Sequence, residues 1–426
     1  MKKVLIITYY WPPGSGSGVQ RFLKFTKYLN SFGWQPVILT VKNGNFTSID
    51  HTLLEDIPNN TPVYRSYSLE PFYWYNLLLK RKSNSSTAGS IGIGDKSVIQ
   101  KIALYIRANF FIPDARIGWN RLAYRVAKKI FKQHKIDAII TTGPPQSTHL
   151  IGERIKNNFN LPWIVDLRDP WTTVFYNSLF PRTENSKLKD KRMEDRIVKS
   201  ADAITVVSEG LVSEFQSRNE NISLIYNGYD ESDFNITKRK SIDKFKITYV
   251  GNLMSNQNIE SFWAALSNLI NKNKIFKEKI VLELVGNIDP SVYLSIKQFG
   301  LKSYIKKVGF VDHHQSVKYM INSDLLLFVI PNSEDNFKII TGKLFEYLAT
   351  GNDILSIGPI EGDASKILKK LNHFSMIDYT NVSEIENTIL DSFNLKKREY
   401  KMNHISKYSR YKQTEKLADL LNKITS

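Results

Sequence analysis

TGKLFEYLATG, Thr341 to Gly351, follows the apolar run DLLLFVIP, Asp324 to Pro331, and reads as strand, loop and helix start. The loop delivers Gly342 and Lys343 to the first turn of that helix, with Glu346 about one turn further along the same face. A helix start attracts anions because its first amides are unpaired and its dipole is positive there. Lys343 adds a point charge suited to a phosphate. Glu346 is an acceptor-only carboxylate suited to paired sugar hydroxyls. Phosphate and vicinal hydroxyls together are what a nucleotide-sugar presents; a solvated Lys–Glu pair on an ordinary amphipathic helix is the alternative. A Walker A loop is excluded, because Leu344 follows the lysine and Phe337 stands where the upstream glycine belongs.

Outward from this stretch, apolar runs alternate with helical patterns from end to end, which argues for parallel sheets flanked by helices. Strands are expected at KVLIITYY, PVILTV, PVYRSYS, IDAIITTG, PWIVDLRD, AITVVS and ISLIYNG in the first half. KITYVG, IVLELVG, IKKVGFV, DLLLFVI, DILSIG and FSMIDY repeat the rhythm in the second. Near-continuous β-branched runs fit strands buried on both faces. The polar stretch DESDFNITKRKSIDKFK reads as a linker, with a seam near 232–244. The expected division is a domain over 1–235, a second over 245–406 and a terminal helix over 407–426.

The chain has 426 residues, enough for two cores, and no cysteine, so disulfides, thiolate nucleophiles and cysteine zinc sites are excluded. The apolar run in MKKVLIITYYWPPGSG is short and broken by Pro12 and Pro13, so it reads as a first strand rather than a signal peptide. No run approaches the roughly 20 apolar residues of a membrane span. A cytoplasmic protein is expected. The formal net charge of +18 fits either lysine-rich and asparagine-rich codon usage or attraction to an anionic membrane or a phosphorylated acceptor. No nucleic-acid-binding module or concentrated basic stripe is present.

An insertion spans about 70–120. EPFYWYNLLLKRK sets aromatics beside Lys80, Arg81 and Lys82, SNSSTAGSIGIGDK is low in complexity, and VIQKIALYIRANFFIPDARIGW follows. Aromatics flanked by cations suit the inner face of the plasma membrane or a lipid-linked acceptor; a helical excursion packed on the domain is the alternative.

Three further loops follow strands, where ligands of open α/β sheets collect. In WPPGSGSGVQRF, Gly16 and Gly18 permit close backbone approach, and Gln20 and Arg21 stand at a helix start. The spacing is not a dinucleotide fingerprint, and Val41-Lys42-Asn43 offers no acid for a ribose. In TTGPPQSTHLIG, His149 opens a helix whose dipole keeps the imidazole neutral. PWIVDLRDPWT clusters Asp166, Arg168 and Asp169. Asp169 is the candidate for an acceptor hydroxyl, and a structural ion pair is the alternative.

FEYLATG resembles the donor-binding helix of GT-B glycosyltransferases, specifically the retaining family-four group that builds bacterial surface polysaccharides. The resemblance implies two Rossmann-like domains, with a C-terminal helix crossing back to the first. In that family two glutamates eight positions apart frame the donor sugar. Glu346 matches the second, and Lys338 occupies the first. The family's Arg and Lys after the first strand of the second domain fall on Asn252 and Gln257, following Gly251. The resemblance therefore implies donor contacts from Gly16, Gly18, Gly251, Asn252, Lys338, Gly342 and Phe345, and acceptor contacts from Gln20, Arg21 and Arg168. Glu346, Lys343, His149 and Asp169 are the expected catalytic set. The expected reaction moves a sugar, with retention, from a nucleotide diphosphate to a saccharide or lipid-linked acceptor, and no metal or other cofactor is expected. A nucleotide-sugar 2-epimerase and a non-catalytic nucleotide-sugar-binding subunit are the rival readings.

Overall fold

The computed structural model describes residues 1–69, 98–235, 243–371, 375–394 and 405–426. Lys80, Arg81 and Lys82, with residues 70–97 generally, lie outside the described residues, as do 236–242 of the expected linker.

The chain forms two compact units, Met1–Tyr226 with Tyr411–Ser426, and Asn227–Arg410. The division falls between Tyr226 and Asn227, a few residues ahead of the polar stretch. Ile225 is fully buried and Tyr226 donates its amide to Gln413 Oε1 at 2.8 Å. Apolar burial and hydrogen bonding, rather than local polarity, carry the first unit that far.

The first unit holds a seven-stranded sheet in the order β3-β2-β1-β4-β5-β6-β7. Its strands are β1 (Lys2–Ile7), β2 (Trp34–Val41), β3 (Val63–Ser66), β4 (Ala138–Gly143), β5 (Trp163–Leu167), β6 (Ala203–Val206) and β7 (Ile222–Leu224). Every pairing is parallel. Alternate β1 residues serve opposite faces: Leu5 and Ile7 pack in one core with Trp119 and Ile151, and Val4 and Ile6 pack in another with Phe22 and Leu23. That explains the continuous apolar runs, since both faces are covered by helices. The helix Arg410–Ile424 adds Leu417, Ala418, Leu420 and Leu421 to the second of these cores, and Trp34 Nε1 donates to Asn422 Oδ1 at 3.0 Å.

The second unit holds a parallel six-stranded sheet in the order β10-β9-β8-β11-β12-β13. These strands are β8 (Phe245–Val250), β9 (Ile280–Val285), β10 (Ile305–Gly309), β11 (Leu325–Val329), β12 (Asp353–Ile357) and β13 (Met376–Ile377). In both units the first strand lies at the middle and the strand order reverses beside it. The open C-terminal ends at such a reversal form a crevice for ligands. Each unit carries its candidate residues at these ends.

Candidate active site

In the second unit the helix Gly342–Thr350 follows β11 through the turn Asn336–Lys338. Thr341 occupies its N-cap without a side-chain capping bond, and Thr341 Oγ1 is buried with no partner among the described residues. The amides of the first turn are thus left for an incoming group. Lys343 reaches back to β8: its Nζ donates to Tyr249 Oη at 2.6 Å and lies 4.3 Å from that ring's centroid. Tyr249 in turn donates to the Asn252 carbonyl at 2.7 Å, so its oxygen is the acceptor for Lys343. Two ammonium protons remain for a ligand. Burial pulls the Lys343 pKa down to about 8, against the opposing pull of Glu346.

Gly251 makes this approach possible. A Cβ there would lie 2.6 Å from Lys343 Cε, and its φ of +115° suits glycine. Glu346 is half-buried on the same helix face as Lys343 and makes no hydrogen bond or ion pair among the described residues. A partly buried carboxylate without a donor is a site awaiting one.

One expectation changes here, and two neighbouring residues are placed. Phe345 does not face the donor side: it is 1% exposed and packs against Tyr408 at 5.2 Å between ring centroids, while Lys343 and Glu346 are only half-buried. Gln257 is a loop tie, donating to the Val329 carbonyl at 2.9 Å and accepting from the Met254 amide at 3.2 Å. Lys338 lies 3.8 Å from Asp335, outside the donor helix. Asn252 is exposed beside Gly251.

In the first unit Gly16 caps the helix Ser17–Leu29 with φ +111°, and Gly18 leaves room for Arg168, whose Nη1 would be 2.4 Å from an added Cβ. Arg168 donates from Nε to the Gly143 carbonyl at 3.0 Å and from Nη2 to Pro144 at 2.5 Å. It therefore braces the β4 loop against the first loop. Gln20 is 7% exposed on the opening turn of the helix. Asp169, half-buried beside Arg168, makes no hydrogen bond among the described residues, and burial raises its carboxyl pKa despite that neighbour.

Arg21 is not an acceptor ligand. It is fully buried, and its Nη2 and Nε donate to Asp166 Oδ1 at 2.8 and 3.1 Å while Nη1 donates to the Tyr226 carbonyl at 3.1 Å. Thr142 and Thr205 donate to the same carboxylate at 2.8 and 2.7 Å. The structural ion pair of PWIVDLRD is thus made with Arg21, across 145 positions of sequence.

His149 is fully buried in the helix Ser147–Phe159, and burial lowers its pKa to about 3, so the imidazole is neutral. Its Nδ1 lies 2.8 Å from Thr141 Oγ1, and its Nε2 has no partner. Gln146 escaped the sequence reading. It is 8% exposed and both of its amide atoms are buried without a partner. Its spacing of three from His149 at a helix start was the available signal.

The FIPDARIGW segment also has a role. Asp114 accepts from the Ser147 amide at 2.7 Å and the Ser147 hydroxyl at 2.8 Å, which anchors the His149 helix. Upstream, the helix Val98–Phe110 exposes Val98, Ile102, Tyr105, Ile106 and Phe110 by 45 to 74%. An open groove of about 730 Å³ runs between it and Leu179–Pro181. Asn109 pins the two sides together, donating to the Pro181 carbonyl at 2.8 Å and accepting from the Thr183 amide at 2.7 Å. Among the described residues no helix is long and apolar enough to cross a membrane, and no group of three or more His, Asp or Glu could hold a metal ion.

Residues 94–233 match the family described as Glycosyltransferase Family 4. No curated protein matches the sequence significantly. Among solved structures the chain is similar to a sucrose-phosphate synthase from Thermosynechococcus elongatus, at 13% identity and TM-score 0.61, covering 100% of this chain and 96% of that one. It is similar to an α,α-trehalose-phosphate synthase (UDP-forming) from Burkholderia xenovorans in complex with glucose-6-phosphate. The identity there is 9%, the TM-score 0.64, and the coverage 99% and 100%. A mutant TarM from S. aureus, in complex with fondaparinux, α-GlcNAc-glycerol and UDP, matches at 12% identity and TM-score 0.60, covering 99% and 100%. Such identities establish fold alone, and the fold is GT-B. With the family match over residues 94–233, the class is that of a GT-B glycosyltransferase.

Proposed function

We propose that this protein transfers a sugar from a nucleotide-diphosphate donor to a saccharide or lipid-linked acceptor in the building of a surface polysaccharide. The observation that carries the reading is the pairing of Lys343 with the unpartnered Glu346 on the first turns of one helix, above an uncapped N-terminus. The donor diphosphate meets the Gly342 and Lys343 amides and the Lys343 ammonium, and Glu346 grips the vicinal hydroxyls of the ribose. UDP in the TarM complex supports a nucleotide diphosphate as donor. As the bond from the anomeric carbon to the diphosphate oxygen breaks, the acceptor hydroxyl oxygen bonds to that carbon and its proton passes to the departing diphosphate oxygen, with Asp169 assigned to accept a hydrogen bond from the hydroxyl beforehand. Retention of configuration rests on the family-four resemblance. Charge on the departing diphosphate is met by Lys343 and helix amides, so the proposed chemistry uses no metal or other cofactor.

A thermal-shift screen of nucleotide diphosphates and nucleotide-sugars identifies the donor, since a ligand at a hundred times its Kd stabilises by about 2.7 kcal/mol. With that donor, Glu346→Ala is expected to raise the donor KM and lower kcat/KM by about ten- to a hundredfold, the range for losing hydrogen bonds to a charged group. The circular dichroism spectrum should stay unchanged. A wild-type rate would reduce the carboxylate to a surface group and remove the reading.

The exposed stripe of the helix Val98–Phe110, with the exposed Lys101 beside it on a chain of charge +18, supports work at the inner face of the plasma membrane. The protein should co-sediment with anionic but not neutral vesicles and be released as salt rises well past 0.15 M. Ile102→Asp with Ile106→Asp should abolish the binding. Equal sedimentation with neutral vesicles, or none with either, would overturn the membrane assignment.

A further inference from the structure

The helix Asn120–Gln133 turns a one-signed face to solvent. Its exposed side chains are Arg121, Arg125, Lys128, Lys129, Lys132 and Gln133, while Ala123, Tyr124, Ala127 and Ile130 are buried. At about 3.6 residues per turn the cations fall within an arc of about 100°, and at about 1.5 Å per residue they run along about 16 Å of the helix. Apolar residues separate them in the sequence, so the expectation of no concentrated basic stripe is corrected by the fold. None of these cations has an acid partner among the described residues. The helix holds no acid, and on its neighbour Ser147–Phe159 the one acid, Glu153, is taken by Arg196 at 2.7 Å. Arg154 of that neighbour is exposed, lies over the Tyr124 ring at 4.1 Å and extends the stripe.

Such a face works against its own helix. Like charges three or four positions apart repel, and Arg125 stands at those spacings from Arg121, Lys128 and Lys129, as Lys132 does from Lys128 and Lys129. No acid opens the first turn, where the dipole would favour one. Elsewhere the protein pairs its exposed charges. The helix Glu184–Ser200 sets Lys187 against Glu184 at 2.7 Å and Lys191 against Asp195 at 2.8 Å, and the helix Arg410–Ile424 sets Lys412 against Glu415 at 2.9 Å. Lysine-rich codon usage accounts for lysines but not for a face without acids. The compensating charge must come from outside the chain. The face carries no exposed large apolar residue, so it has nothing to sink into a bilayer. It also lies apart from the apolar stripe: the helix Val98–Phe110 packs beside Glu184–Ser200, whereas Asn120–Gln133 packs on β2, β3 and Ser147–Phe159.

We infer that this stripe is a docking track for an anionic polysaccharide, a linear chain with a carboxylate, sulfate or phosphate on successive units lying along the helix. A narrow row of cations fits a chain better than a plane of headgroups. Each anionic group meets one or two cations through charge-assisted hydrogen bonds, and the guanidinium forks of Arg121, Arg125 and Arg154 grip such oxygens in pairs. The choice of a saccharide among polyanions rests on the function proposed above. The electrostatic track does not, and it is read by binding alone.

Fluorescence anisotropy of the full chain with a labelled heparin oligosaccharide, a sulfated and carboxylated glycan, gives the test. Affinity should fall about a hundredfold between about 50 and 200 mM salt, as for about five counterions released from a single-stranded polyanion. Arg125→Gln with Lys129→Gln should weaken binding at least about tenfold and lower the salt slope by roughly one for each charge removed. This pair relieves repulsion, so its melting temperature should not fall. If it fails to fold, Lys128→Gln with Lys132→Gln takes its place. Lys277→Gln with Lys297→Gln, exposed in the second unit, removes the same charge and should leave binding unchanged. Equal weakening by the two pairs reduces the effect to net charge and overturns the track, as does equal binding of neutral dextran or no binding of heparin. Tighter binding of single-stranded RNA overturns the saccharide assignment. So does binding of anionic vesicles that is lost in Arg125→Gln, Lys129→Gln while heparin binding persists. The thermal shift given by the nucleotide-sugar donor should be the same in that variant and the wild type, so failure of the track and failure of the proposed transfer are told apart.

Discussion

Lys343→Ala is expected to lower turnover at least about a hundredfold, a typical loss for one preorganised electrostatic donor. The leaving diphosphate gains negative charge as the glycosidic bond breaks, and Asn252 and Gln257 provide no cation to meet it. Lys343 does so from a fixed place: Tyr249 holds it from one side and Gly251 opens the other. Burial costs the ammonium part of its basicity, which brings its pKa to about 8. The sign follows directly. A lysine is charged below its pKa, so kcat/KM, which reports the free enzyme, should fall as pH rises through about 8. Bound diphosphate favours the ammonium, so the fall in kcat should come at higher pH. Lys338→Ala should cost less, because Lys338 precedes the donor helix and its ammonium lies 3.8 Å from Asp335. Gly251→Ala should resemble the loss of Lys343, since the added methyl would displace its stem. Full activity in Lys343→Ala would sink the proposed role and point to a different cation.

Arg21→Leu is expected to destabilise the first unit by about 3 to 5 kcal/mol, the range for removing one partner of a buried ion pair. The Asp166 carboxylate would keep two threonine donors but lose the charge that compensates its burial. Desolvation pushes its pKa up, and Arg21, with hydrogen bonds from Arg21 and Thr205, outweighs that and holds it below the usual value. A depressed carboxylate stabilises above its unfolded pKa and loses that contribution as pH falls through the folded one. The pair is therefore intact at neutral pH, and the cost of breaking it appears there in full. The double variant Arg21→Leu, Asp166→Leu should recover part of the loss, because it leaves no buried charge. The urea midpoint of the first unit's transition measures both. An Arg21→Leu protein of wild-type stability with a lost acceptor site would restore the ligand role that the structure denies.

The alternation of apolar strands with helical patterns was enough to place all thirteen strands near their positions. Burial on both faces of a parallel sheet leaves its mark locally, as unbroken β-branched runs. The pairing of Lys343 with Glu346 was equally local, because i and i+3 on one helix share a face in any fold. Tertiary structure decided what depended on distant partners. Arg21 read as an acceptor contact at a helix start and Asp166 as part of a charged cluster leaving a strand, and they became one buried pair only when the fold brought together positions 145 apart. Phe345 read as a donor contact until Tyr408 took its ring, and Gln257 stood for a missing cation until it tied down a loop. The surroundings of His149 combine an indole from β5, a hydroxyl from β4 and a glycine of its own helix. Spacing along the chain records which residues share an element, while the partners of a buried polar side chain exist only after those elements pack.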